Sequence, residues 1–122
     1  MNIALDIDDT ITRHPEFFAF LTASLRQAGH RIIILTFRED AEVTTADLHG
    51  WGIVFDELIT SSLDLCLKHG VDEWKGAMCR QHNVDVFFED DPDVLQHVDD
   101  HTMCLMPVDK NYHVLATQQQ QA

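Results

Sequence analysis

Three aspartates stand within four positions of the stretch IALDIDDTIT (3–12): Asp6, Asp8 and Asp9, with Thr10 directly after them and an apolar run before. Two unit charges about 4 Å apart repel by about 4 kcal/mol at an effective dielectric of 20. A carboxylate cluster at the end of a buried strand is therefore costly unless a cation sits inside it. A second acidic group, Glu89, Asp90 and Asp91, closes the run VDVFF (84–88). Between the two, RIIIL (31–35) ends in Thr36 with Arg38 just beyond, and Lys75 lies upstream of the second group. Hard divalent cations take oxygen ligands, so Mg²⁺ held by carboxylates, waters and a phosphate is the natural occupant. Carboxylates, a hydroxyl and an amine around such an ion suit phosphoryl transfer, which is mostly positioning plus charge stabilisation.

These residues meet only if the chain folds so that several strand ends gather. Apolar and amphipathic blocks alternate along it. NIALDI (2–7) reads as a short buried strand. PEFFAFLTASLRQAG (15–29) reads as a helix, with Pro15 in its first turn, Phe17, Phe18, Leu21 and Leu25 at helical spacing, and Gly29 at its stop. RIIILTF (31–37) is β-branched and apolar on both faces, as parallel strands are. A helix is expected over 39–52, a third strand over 55–60, a helix or loop over 62–70 and a helix over 72–82. A fourth strand over 84–89, a short helix over 91–98 and a fifth strand over 102–108 follow. Alternating β and α blocks with short connections predict a three-layer α/β fold, Rossmann-like, with five parallel strands and helices on both faces. In such a sheet, ligands bind beyond the carboxyl ends of the strands, where the polar residues named above fall.

The chain has 122 residues, which fits one domain, expected over 1–117. The QQQQA tail (118–122) reads as disordered. Net charge is −13, with 21 acids against 8 Lys plus Arg, which argues against broad nucleic-acid or anionic-membrane binding. No apolar stretch approaches the roughly 18 residues a membrane span needs. Met1 runs into the first strand, so no cleaved leader is expected. Cys66, Cys79 and Cys104 form no CxxC, and they read as reduced thiols of a cytoplasmic protein.

Four stretches in order resemble the motifs of the haloacid dehalogenase (HAD) superfamily of aspartate-nucleophile phosphohydrolases. LDIDDT (5–10) is similar to that family's DxDxT, and IIILT (32–36) to its strand ending in Ser or Thr. Lys75, 14 residues before Glu89, resembles its helix lysine, and FFEDDP (87–92) its terminal acidic motif. The stretch 35–59, LTFREDAEVTTADLHGWGIVFDELI, further resembles small members related to nucleotide and polynucleotide 5′-phosphatases. The likeness covers about residues 2–108. It implies a HAD-like fold and a Mg²⁺-dependent phosphatase. Neither gap, before or after the second strand, is long enough for the family's cap domain, so an open, capless site is expected. Such a site admits large substrates or is lidded by a second copy of the chain. Given the charge, a small phosphorylated metabolite or nucleotide is favoured.

The resemblance implies a role for each residue. Asp6 is the nucleophile that forms an aspartyl-phosphate. Asp8 is the general acid and then base, its pKa lifted by neighbouring negative charge, and its carbonyl also meets the metal. Its presence favours phosphate esters over carbon–halogen bonds. Asp90 supplies or orients a metal ligand with Glu89 beside it, although a Glu at 89 replaces the commoner Asp and Asp91 is a rival for Asp90. Thr36 and Lys75 hold the phosphoryl group, and Lys68 stands too far from the acidic motif to replace Lys75. Arg38 binds substrate or pairs with Glu39 or Asp40. Arg13 and His14 fall where the family has a flap, and Asp9 stands where glycine is common.

Single features have plainer readings. Phe17, Phe18 and Trp51 read as packing, and Trp74 stays open between packing and the site. His97 and His101 are four apart but lack a third zinc ligand. Two other functions compete with the phosphatase: a receiver-type phospho-acceptor domain, disfavoured because LITSS (58–62) ends without an aspartate, and a catalytically silent metal-binding scaffold.

Overall fold

The computed structural model describes residues 1–110. The tail expected to be disordered, and the last residues of the expected domain, lie outside them. Five strands form one all-parallel sheet: β1 (Asn2–Leu5), β2 (Arg31–Leu35), β3 (Glu57–Ile59), β4 (Val86–Phe88) and β5 (Met103–Leu105). Their order is β3-β2-β1-β4-β5. The chain thus runs outward from β1 through β2 to β3, then returns to lay β4 on the other side of β1. The direction of winding reverses between β1 and β4, and an open α/β sheet binds its ligands at that switch point.

The period of two along each strand splits the core. Ile3, Leu5, Ile32, Ile34 and Val86 face one side, where α1 (Pro15–Gln27) and α2 (Ala41–Gly50) deliver Phe18 and Leu48. Ala4, Ile33, Leu35 and Phe87 face the other, against Trp74, Met78 and Cys79 of α4 (Val71–Gln81) and Val94 of α5 (Pro92–Leu95). Strands apolar on both faces are what a sheet covered on both faces requires. The short α3 (Leu63–His69) buries none of its own residues completely.

Local chemistry sets the boundaries. Pro15 and Pro92 each occupy a first helical turn, where the missing N–H costs nothing. Asp40, Ser62 and Asp91 cap α2, α3 and α5 by accepting from the backbone N–H of Val43, Leu65 and Asp93. Gly70 joins α3 to α4 at φ 89°, in the left-handed region. β1, β2 and β4 each stop one residue before a polar one, Asp6, Thr36 and Glu89, which begin the loops that follow. Asp6 is the first such residue, although its N–H still donates to Phe88 O at 2.9 Å. No helix of the described residues is long and apolar enough to cross a membrane.

Candidate active site

The register Leu5↔Phe88 between β1 and β4 makes Asp6 and Glu89 the next neighbours at the strand ends. Both are buried, at 5% and 1% exposure. Lys75 reaches them from α4. Its Nζ donates to Asp6 Oδ1 at 2.7 Å and to Glu89 Oε1 at 2.6 Å, and it sits 4.5 Å from the centre of the Phe37 ring. Thr10 donates from its hydroxyl to Asp6 Oδ2 at 2.9 Å. The backbone N–H of Asp90 donates to Glu89 Oε2 at 2.9 Å. Asp6 is therefore held through both oxygens, and Glu89 ties the lysine to the turn that follows β4.

Oxygens of Asp6, Glu89 and Asp90 lie within 4.8 Å of one another. Asp91 lines the same cleft but does not join this cluster, and its Oδ1 accepts the Asp93 N–H as the α5 cap, so Asp90 is the better placed of the two. With all three carboxyls ionised, the one ammonium of Lys75 leaves two negative charges, which a divalent cation would cancel. The donors are all hard oxygens, and oxygens on opposite sides of an octahedral Mg²⁺ stand about 4 Å apart, so the set fits this ion. Burial pushes the Glu89 carboxyl up to about 9, helped by the Asp6 charge and opposed by Lys75. Burial also raises Asp90. Burial alone would lower Lys75, but Asp6 and Glu89 more than reverse this and raise it. Carboxyl groups shifted upward in this way mark a site short of positive charge.

A cleft of about 530 Å³ opens over the cluster, lined among others by Asp6, Asp8, Arg13, Lys75, Asp90 and Met106. Thr36 and Arg38 are not among its lining residues. Thr36 is buried, and its hydroxyl accepts the N–H of Arg38 at 3.1 Å. Lys68 is exposed on α3, away from the acids that Lys75 bridges. Asp9 adopts φ 63°, the left-handed conformation that explains why glycine suits its position, and its N–H donates to Thr12 Oγ1 at 2.9 Å.

Two expectations need correction. Asp8 is not lifted by its acidic neighbours. Arg38 donates to it from two nitrogens, at 3.0 and 2.8 Å, and this holds its carboxyl below the usual range. Arg38 pairs with neither Glu39 nor Asp40. Its third contact is Asp47 of α2 at 2.9 Å, and its guanidinium lies 5.6 Å from the Trp51 ring centre. Asp40 is meanwhile committed to its helix cap. Trp74 is fully buried with its indole Nε1 unpartnered. His97 and His101 lean toward different acids, Glu73 and Asp85, and do not converge. Phe18 packs in the core as expected, but Phe17 is half exposed.

Sequence reasoning passed over Thr10, Phe37 and Asp47 as site residues. Thr10 had a signal, since it completes the similarity to DxDxT. Phe37 and Asp47 had none: their contacts follow from where α4 and Arg38 land. Comparison of the chain with protein-family models, curated proteins and solved structures finds no match.

Proposed function

We propose that this chain is a Mg²⁺-dependent phosphomonoester hydrolase, HAD-like and capless, that works through an aspartyl-phosphate on Asp6. The observation that carries this reading is the convergence of Asp6, Lys75, Glu89 and Asp90 at the switch point between β1 and β4. The strand order supports it over the receiver-type alternative, whose sheet runs 2-1-3-4-5.

Asp6, Asp90 and the carbonyl of Asp8 would hold the ion, with Glu89 beside them. Bound Mg²⁺ neutralises charge on the phosphoryl oxygens. Asp6 then attacks phosphorus and the bond to the leaving oxygen breaks. That oxygen takes its proton from Asp8. A water attacks the aspartyl-phosphate, giving a proton back to Asp8 and releasing inorganic phosphate and free Asp6. Lys75 fixes Asp6 in place and offsets the charge of the arriving phosphate. Thr36, the residue after β2, would donate to a phosphoryl oxygen only after the side chains that bury it move aside. Arg38 holds Asp8 as a carboxylate until the substrate dianion competes for the guanidinium.

The net charge of −13 favours a small phosphorylated metabolite or nucleotide over a polyanion. An open site without a cap suits lidding by a second copy. Three free thiols among the described residues suit a reducing cytoplasm.

Release of p-nitrophenol from p-nitrophenyl phosphate tests the reading. Activity is expected with Mg²⁺, abolished by chelation, and reduced about 10³-fold or more in Asp6→Asn and Asp8→Asn. Turnover indifferent to both substitutions rejects the mechanism. A folded, Mg²⁺-binding chain with no turnover on any phosphoester favours the silent scaffold.

A further inference from the structure

The acidic cleft has an apolar neighbour that the chemistry above leaves unused. A second groove of about 500 Å³ is lined by Phe17, Phe18, Phe88, Met106 and Val108, with His14, Leu105 and Pro107. The two cavities border each other at three places. Met106 lines both. Arg13 lines the cleft and the next residue, His14, the groove. Glu89 lines the cleft and the preceding residue, Phe88, the groove. A row of rings leads between them: Phe17 stands edge-on to Phe18 at 5.2 Å, and Phe18 edge-on to Phe88 at 5.7 Å. Phe88 ends β4, and Glu89 of the acidic cluster follows it directly. Phe17 keeps 52% of its surface exposed, so packing within the fold does not account for it.

In a chain with 21 acidic residues, the described residues that line this groove include no carboxylate, no ammonium and no guanidinium. Among the described residues, a second anionic group on the substrate would meet only the His14 imidazole there. An uncharged ring or hydrocarbon would leave water for a wall of aromatic and aliphatic side chains. The groove has the size of ordinary small-molecule pockets, about 300–1,000 Å³.

Resting on the phosphohydrolase reading, we propose that this groove receives the leaving group, and that the substrates are phosphate esters of uncharged aromatic or apolar alcohols. The phosphoryl group lies in the acidic cleft and the alcohol moiety passes Met106 into the groove. The chemical step is unchanged: the alcohol leaves with the proton from Asp8.

The test compares 2-(1-naphthyl)ethyl phosphate with ethyl phosphate, whose alcohols are leaving groups of similar acidity, on the full-length protein. The ratio of their kcat/KM values is expected to favour the naphthyl ester by about tenfold or more, chiefly through KM. That ratio should fall toward one in Phe17→Ser and Val108→Ser, whose side chains are exposed enough to spare the fold. Equal kcat/KM values, or a ratio that both variants keep, would overturn the proposal. A readout without turnover separates this from failure of the enzyme reading. In Asp6→Asn, the same naphthyl ester should shift the side-chain NMR signals of Phe17 and Met106, while inorganic phosphate should leave Phe17 unmoved. Contacts from Tyr112 or Leu115 to Met106 that the naphthyl ester does not displace would show the chain's own C-terminal segment in the groove. Signals that respond to protein dilution and not to the ester would show a second copy there. Either result overturns the proposal.

Discussion

Lys75 Nζ donates to Asp6 Oδ1 at 2.7 Å, joining α4 to the end of β1 across 69 residues of chain. The lysine is 1% exposed, and its other carboxylate partner is Glu89. Removing one member of a buried ion cluster strands the others, and this typically costs about 3–5 kcal/mol. Lys75→Met should therefore destabilise the protein by roughly that amount at pH 8, measured by urea denaturation. A variant as stable as the parent at pH 8 would show that the cluster is not held by this pair.

The raised Glu89 carboxyl gives metal-free stability a definite slope. Between the ordinary carboxylate range and about 9, the folded state keeps a proton that the unfolded state has released. Stability must then fall as pH rises across that window. A cation that displaces the proton removes the penalty. Melting temperature should decline from pH 5 to pH 9 in the presence of a chelator, and the decline should flatten in millimolar Mg²⁺. A metal-free slope of opposite sign would contradict the assignment.

Asp8 behaves in the opposite sense. Its carboxyl is lowered by the hydrogen bonds from Arg38, so this pair stabilises the fold above the ordinary aspartate range and is lost as pH falls through the depressed value. As the proposed acid, Asp8 works only when protonated. Arg38→Met should raise its pKa and move the alkaline limb of the pH–rate profile to higher pH. An unmoved limb would mean that Asp8 is not the titrating acid.

Gly76 lies beside Lys75 on α4, and a methyl group there would collide with the backbone carbonyl of His97. Helix propensity alone would make Gly76→Ala stabilising by about 1 kcal/mol. Overpacking against backbone costs about 1–3 kcal/mol. The clash should win, lowering the urea midpoint and slackening the hold of Lys75 on Asp6. A stabilised variant would show that the loop after α5 yields freely.

The sheet was legible because β1 and β2, after a polar first residue, carry aliphatic residues on both faces, while the helices alternate polar and apolar positions. The acidic ends were legible because like charges rarely crowd behind a buried strand without a reason. What remained hidden depends on distance in the sequence. Arg38 sits beside Glu39 and Asp40, yet parallel pairing of β1 with β2 brings it to Asp8, 30 residues away. Phe17 fits the helical spacing of core residues, but it falls at the margin of the face that α1 buries. Helical spacing identifies a face and leaves its edge undefined.

The central claim is that phosphorus passes through Asp6. Borohydride reduction during turnover of 1-naphthyl or p-nitrophenyl phosphate, followed by peptide mass spectrometry, measures this directly, because an acyl phosphate is reduced to the alcohol. Homoserine should appear at position 6, only when substrate and Mg²⁺ are both present, and never in Asp6→Asn. Sustained phosphate release with position 6 unmodified, or with the label on another carboxylate, would contradict the account.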